Sequence, residues 1–202
     1  VIPANLTRFP WVGHLGLVLL PEVLERIDRA QSTLVFTNTR SQAELWYQAI
    51  ITARLDLLTL TALHHGSIDA KIRRRVEDGL KNGSLRCVVC TSSLDLGVDF
   101  PPVDQVLQIG SPKGVSRLLQ RAGRSGHQPG QTSRVTVVPT HALELLECAA
   151  ARRAVATMVL EPRSGWRLAL DVLAQHLVTL SAGEGFDAEL MWREVIGTHA
   201  FE

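Results

Sequence analysis

The stretch Arg86-Cys87-Val88-Val89-Cys90-Thr91-Ser92-Ser93 decides the fold. Four consecutive apolar residues between a charge and a run of hydroxyls read as a strand buried on both faces. That is the pattern of a parallel sheet covered by helices on each side. The cysteines form a C-x-x-C, a spacing that invites a metal or redox reading. On a strand, positions i and i+3 point to opposite faces, so Cys87 and Cys90 cannot share an ion and read as small core residues. Three cysteines, an odd number, supply no disulfide framework and point to a reducing compartment.

Outward from this strand, β-branched runs alternate with amphipathic stretches. Thr33 to Thr37 reads as a strand, followed by a helix from about Ser41 to Arg54 that opens with a Ser41–Glu44 capping box. Leu58 to Leu63 is a second strand, and Asp69 to Lys81 a helix closed by Asn82-Gly83. Asp104 to Ile109 is a further strand, after which Ser111-Pro112 opens a helix with proline in the first turn. Arg134 to Val138 is a last strand, and Leu143 to about Val159 an Ala-rich helix. The alternation specifies an α/β fold with helices on both faces of a parallel sheet. Ligands of such sheets bind at the carboxyl ends of the strands.

Glu161-Pro162-Arg163-Ser164-Gly165 marks a boundary. Beyond it, Arg167 to Leu180 and Asp187 to Ile196 read as two helices, too little chain for a core of its own. The chain starts at Val1 rather than Met and stops just past a helical pattern, as an excised piece would.

Composition excludes several classes. Of 202 residues, 46% are hydrophobic and 20% charged, which are globular rather than disordered or fibrous values. Lys and Arg number 21 against 20 Asp and Glu, so the net charge is only +1. The cations are nonetheless segregated. Residues 112–134 carry +5 with no acid, and residues 71–86 carry +4. One face is thereby marked for phosphates. No apolar run is long enough to span a bilayer and no signal-peptide pattern is present, which makes a soluble intracellular protein without a membrane partner the expectation.

The loops after the strands carry the chemistry. Thr37-Asn38-Thr39-Arg40 offers hydroxyl, amide and guanidinium groups suited to phosphate, and the same residues suit helix capping. His64-His65-Gly66-Ser67 holds two adjacent histidines that point apart with no third ligand nearby, so no metal is expected there. Gly66 next to Ser67 at a helix start offers backbone N–H groups to an anion instead. Thr91-Ser92-Ser93 places three hydroxyls at a strand end, followed by Gly97 for a tight turn and Asp99 facing a group such as a ribose hydroxyl. A loop simply rich in turn residues is the plain alternative. The sharpest segment is Gln120-Arg121-Ala122-Gly123-Arg124-Ser125-Gly126-His127. Arginine is the planar, always-charged donor suited to phosphate, and two of them in a Gly-punctuated turn call for an anion more than for solvent.

In this order and spacing the loops resemble the second RecA-like domain of superfamily 2 helicases. Val35 to Arg40 is similar to motif IV, His65-Gly66 to the element that follows it, Thr91 to Asp99 to motif V, and Gln120 to His127 to motif VI. Thr91-Ser92-Ser93-Leu94-Asp95-Leu96-Gly97-Val98-Asp99, the Gly110-Ser111-Pro112-Lys113 turn and Gly126-His127 resemble the large helicase-related (Lhr-like) family. Arg8-Phe9-Pro10-Trp11, Thr140 to Glu144 and Leu170 to His176 look most like its ligase-associated DEXH-box branch.

The resemblance implies a RecA-like, P-loop NTPase-type sheet over residues 17–162, a linker over 1–16 and the helical start of a winged-helix domain over 163–202. It implies an ATP-driven motor moving 3′ to 5′ on single-stranded DNA, in bacterial cytoplasm, working in DNA repair beside partners such as a ligase or nuclease. A DNA–DNA or RNA–DNA duplex is the implied wider substrate. Carried over by position, Arg124 is the arginine finger, Gln120 and Arg121 line the nucleotide cleft or bridge it to the other domain, and His127 is a further catalytic candidate. Gly97 and Asp99 meet the nucleotide, while Thr37, Asn38, Arg40, His65, Gly66, Thr91 and Ser92 meet nucleic acid. His127 stands where many members have a second arginine, so it brings one neutral donor in place of a full charge.

The chain holds neither G-x-x-x-x-G-K-[ST] nor a D-E-x-H sequence. The phosphate loop and the Mg²⁺ ligands for ATP are therefore expected in a first RecA-like domain, which this half must face. A non-catalytic nucleic-acid-binding or regulatory module is the rival reading. A Rossmann enzyme fails for want of G-x-G-x-x-G after the first strand.

Overall fold

The computed structural model describes residues 10–11, 15–95, 100–126, 133–161 and 167–201. The chain divides into two compact units, Val1–Glu161 and Pro162–Glu202.

In the first unit the elements run α1 (Leu20–Asp28), β1 (Thr33–Phe36), α2 (Arg40–Ala53), β2 (Thr61–His64), α3 (Ala70–Lys81), β3 (Cys87–Cys90), β4 (Gln105–Ile109), α4 (Val115–Ala122), β5 (Val135–Val138) and α5 (Ala142–Thr157). The five strands form one sheet in the order β2-β3-β1-β4-β5. All neighbours pair in parallel, with Phe36 level with both Cys90 and Gln108 and His64 level with Cys90. Every loop that follows a strand therefore emerges at one edge.

Strand alternation sorts the core into two layers. Val35, Cys87, Val89, Leu107 and Ile109 pack with Val23 and Ile27 of α1 and with Ala43, Trp46 and Ile50 of α2. Leu34, Phe36, Val88, Cys90 and Val106 pack with Val76 and Leu80 of α3 and with Leu94 and Val103. The two C-x-x-C cysteines thus fall in different layers, as a strand requires. Burial pushes the Cys87 thiol up to about 12, which keeps it un-ionised and unreactive.

Three element starts and one whole helix depart from the sequence expectations. α2 is capped two residues earlier than expected: the Thr39 hydroxyl, not Ser41, accepts from the Gln42 N–H at 3.2 Å. Gln42 Oε1 accepts from the Asn38 N–H, also at 3.2 Å, one residue before the Thr39 cap, so the return bond of the expected capping box is replaced by a tie to the preceding loop. The second strand starts at Thr61 rather than Leu58, because Leu55–Leu57 forms a 3-10 turn. Pro112 does not open α4. Gly114 adopts φ +114, a conformation closed to other residues, and holds the chain out of the helix until Val115. α1 was not anticipated, although Leu20, Val23, Leu24 and Ile27 carry its period.

α4 has no cap from its own segment. The carboxylate of Glu161, beyond α5, accepts from the Val115 N–H and from the Ser116 N–H and hydroxyl, the latter two at 3.2 and 3.1 Å. Those backbone bonds, Val115 first, pull the Glu161 carboxyl down to about 2.

The second unit contains α6 (Leu170–Ala182) and α7 (Ala188–Ile196). Asp187 caps α7 by accepting from the Glu189 and Leu190 N–H groups, both at 2.9 Å. Leu170, Val172, Leu190 and Trp192 remain exposed, so these two helices enclose no core among the described residues. No described helix is long and apolar enough to cross a membrane.

Candidate functional site at the carboxyl edge of the sheet

The loops after β1, β2 and β3 are hydrogen-bonded neighbours. The Thr37 N–H donates to the Cys90 carbonyl at 2.8 Å and the Thr91 N–H to the His64 carbonyl at 3.3 Å. Thr37-Asn38, His64-His65-Gly66 and Thr91-Ser92 thereby form one continuous rim.

Within this rim the expected nucleic-acid residues divide by what their side chains already do. Ser92, Arg40 and Gly66 are exposed, and an Arg40 guanidinium nitrogen lies 3.8 Å from where a Cβ on Gly66 would stand. Thr91 is buried at the rim. Thr37 is buried, and its hydroxyl donates inward to the carbonyls of Thr39 and Cys90 at 3.0 and 3.3 Å. The Asn38 amide donates to the Ser111 carbonyl at 3.0 Å. Thr37 and Asn38 thus shape the loop. His65 is buried: its Nδ1 accepts from the Ser67 N–H, and its Nε2 stands 3.2 Å from Glu44 without hydrogen-bond alignment.

His64 turns the other way, with Nδ1 2.8 Å from the Ser93 hydroxyl and Nε2 3.3 Å from Glu77. The adjacent histidines therefore diverge. Among the described residues no group of three or more His, Cys, Asp or Glu has the geometry of a metal site. Burial lowers the His64 pKa, opposed by the Glu77 carboxylate.

The arginines of α4 and its turn also divide. Arg121 is 2% exposed and faces inward. Its Nε and one terminal nitrogen engage both oxygens of Asp95, at 2.8 and 3.3 Å, while the other terminal nitrogen donates to Gln108. Its guanidinium carbon lies over the Phe36 ring, 4.6 Å from the ring centre. Such a bidentate, stacked arginine is an internal strut, and the structure does not bring it to the cleft surface that the sequence reading assigned it. Arg124 is half-buried, donates to the Asp95 carbonyl at 2.8 Å and lies 5.3 Å from the Phe100 ring centre. Its backbone is pinned as well. The Arg124 carbonyl accepts from the Val103 N–H at 3.0 Å, and the neighbouring Ser125 hydroxyl is tied to Ala122 and Arg134. Gln120 is exposed on α4. Gly97, Asp99 and His127 lie outside the described residues.

Asp95, Gln108, Phe100 and Glu161 complete this arrangement and were not singled out from the sequence as site residues. Asp95 had a visible signal, an acid three residues past Ser92 and just beyond a run of three hydroxyls. The others act across distances that local pattern does not register. Arg124 and Gln120 offer guanidinium and amide donors, groups that suit phosphate oxygens in kind.

Residues 17–128 match the helicase conserved C-terminal domain family, and residues 153–202 match the large helicase-related protein winged-helix domain. An Lhr helicase/probable uracil glycosylase of Mycolicibacterium smegmatis is 45% identical over 130 residues, 64% of this chain and 9% of that protein. An ATP-dependent helicase Lhr-Core protein 2 of Thermococcus barophilus is 37% identical over 173 residues, 86% of this chain and 20% of that protein. The solved structure of Mycobacterium smegmatis helicase Lhr bound to ssDNA and AMP-PNP superposes with a TM-score of 0.83 at 34% identity, over 98% of this chain and 26% of that one. The chain thus spans about a tenth to a fifth of the curated relatives it matches. With its five-stranded parallel sheet and these likenesses, the chain belongs to the helicase conserved C-terminal domain family, as an Lhr-like member of superfamily 2.

Proposed function

We propose that this chain is the second RecA-like half of an ATP-dependent helicase or translocase that moves 3′ to 5′ on single-stranded DNA and serves DNA repair, in the ligase-associated branch of the family. One observation carries the reading: Arg124 and the Thr91-Ser92 hydroxyl loop share one sheet edge and are tied together through the Asp95 carbonyl. A cation set for phosphoryl transfer and a grip for a sugar-phosphate backbone are thereby held by the same loop. The Lhr relatives named as ATP-dependent helicases, and the ssDNA and AMP-PNP in the Lhr structure, support the same assignment.

In this reading residues 17–162 are the motor half, 1–16 lead in from the first RecA-like domain and 163–202 begin the winged helix. Arg124 is the arginine finger, Gln120 lines the nucleotide cleft beside Gly97, Asp99 and His127, and Arg121 holds α4 in place behind them. ATP with Mg²⁺ supplies the transferable phosphoryl group, its phosphate loop and metal ligands lying in the first domain. Arg40, Gly66, Thr91 and Ser92 meet strand phosphates, on a loop shaped by Thr37, Asn38 and His65. The protein works in the cytoplasm with repair partners such as a ligase or nuclease. Steady-state ATP hydrolysis tests the reading. This chain alone is expected to show none, and the protein carrying both RecA-like halves is expected to show turnover that rises with single-stranded DNA. Turnover by this chain alone contradicts it, as does a two-half protein indifferent to DNA.

A further inference from the structure

A run of polar groups crosses the sheet beneath the candidate site. Arg121, fixed to Asp95, donates to Gln108 Oε1. Gln108 Nε2 donates to the Ile109 carbonyl at 2.8 Å and reaches Asn38 Oδ1 at 3.5 Å. The Asn38 amide donates to the Ser111 carbonyl, the Ser111 N–H to Glu144 at 3.0 Å, and the other Glu144 oxygen takes the Thr140 N–H and hydroxyl at 2.5 and 2.8 Å. The backbone between is shaped to the run: at Gly110, φ +79, a Cβ would stand 3.0 Å from the Asn38 amide and 3.3 Å from Glu144.

Gln108 is the link that touches both the arginine helix and the loop after β1. It is 0% exposed, in a strand whose neighbours Val106, Leu107 and Ile109 are apolar. Alternation puts it on the same face as Val106, level with Phe36, over which Arg121 stacks. A buried amide costs stability unless its groups are bonded, and an apolar residue would fill the sheet at least as well. What the amide adds is direction, since it fixes Arg121 on one side and Asn38 on the other.

We propose that Gln108 is a positioning residue that couples the two halves of the edge, by setting α4 and its Arg124 turn in register with the Asn38 loop. The proposal rests on the motor reading above, in which α4 answers to nucleotide and the Asn38 loop to nucleic acid. Nucleic acid that shifts the loop then shifts α4, and nucleotide that draws in α4 shifts the loop. Such a coupling is reciprocal by thermodynamic necessity.

The test measures binding rather than turnover. In the protein carrying both RecA-like halves, the affinity for a fluorescent oligothymidine is read by anisotropy with and without a non-hydrolysable ATP analogue, and the ratio is the coupling factor. Gln108→Met, close in shape but without donor or strong acceptor, is expected to keep each single-ligand affinity within about threefold. It is expected to lower the coupling factor about tenfold, roughly 1.4 kcal/mol. The reciprocal effect of oligothymidine on analogue affinity must fall by the same factor. Asn38→Ala, which cuts the next link, is expected to lower the coupling too, and the double variant no further. If Gln108→Met does not fold, Gln108→Asn, too short to span both partners, carries the same expectation. An unchanged coupling factor overturns the proposal. So does a parallel fall of melting temperature and both affinities, the mark of a purely structural amide. A wild-type protein that binds neither ligand overturns the motor reading itself.

Discussion

Two titrating residues hold this edge in place, and each makes a prediction about pH. His64 is 1% exposed between Ser93 of the hydroxyl loop and Glu77 of α3, with Arg73 nearby. Burial lowers its pKa below the ordinary 6.5, so the unfolded chain takes up a proton at a higher pH than the folded one does. The stability tied to neutral His64 is complete above 6.5 and is lost as the pH falls through the folded value. The melting temperature of the chain is expected to drop between pH 7.5 and 5.5, and His64→Gln to flatten that drop. An unchanged slope in the variant contradicts the assignment. Glu161 acts in a lower window. Its carboxyl, held at about 2 against an ordinary 4.5, stabilises the start of α4 above 4.5 and loses that effect as the pH falls towards 2. Glu161→Gln is expected to lower the melting temperature at pH 7, by a difference that shrinks as the pH falls from 4.5 towards 2. A pH-independent difference contradicts the cap.

Among the elements, α2 is anchored to the core through a single large side chain. Trp46 is buried in the layer formed with α1, and its indole N–H donates to the Leu15 carbonyl at 2.9 Å. Trp46→Ala is expected to cost about 3–5 kcal/mol in denaturant titration, by the usual penalty for emptying an aromatic site. Trp46→Phe, which keeps most of the volume and loses the N–H, is expected to cost clearly less; equal losses contradict a packing role. The elements also show what sequence could and could not disclose. β3 was legible because four apolar residues in a row admit only a doubly covered strand. The α2 cap slipped by two because Thr39 and Ser41 both precede a Gln or Glu at the capping distance. The start of α4 was illegible because Gly114's conformation is not a property of its letter and its cap arrives from Glu161. Likewise Arg124 stands out in the sequence as a candidate site residue within a Gly-punctuated turn. Arg121 looked equivalent, and only Asp95 and Gln108, both remote in sequence, turn it inward.

At the scale of the molecule, a near-neutral chain presents a local rather than global attraction for phosphate, carried by the cations of residues 71–86 and 112–134 with three exceptions. Arg121 is buried, and Arg86 and Arg134 precede β3 and β5 at the opposite end of the sheet. This chain is expected to bind oligothymidine weakly and with steep salt dependence. If it neutralises roughly three to five phosphates, the log–log slope is about −2 to −3.5, at ~0.7 per phosphate on a single strand. Anisotropy titrations from 25 to 200 mM salt read that slope, and a flat affinity contradicts a phosphate-binding edge.

The division of that edge into a nucleotide side and a strand side is the central claim, and Arg124 tests it most directly. In the protein carrying both RecA-like halves, kcat for ATP and the affinity for oligothymidine without nucleotide are measured for wild type and for Arg124→Ala. The expected result is a fall in kcat on the order of 10³-fold, ~4 kcal/mol, with DNA affinity nearly unchanged. Arg124→Lys should recover little, because a point charge does not replace the planar fork. Ser92→Ala should show the reverse, weakening DNA binding more than unstimulated turnover. A near-normal kcat in Arg124→Ala together with lost DNA affinity would contradict the account and place Arg124 on the strand side.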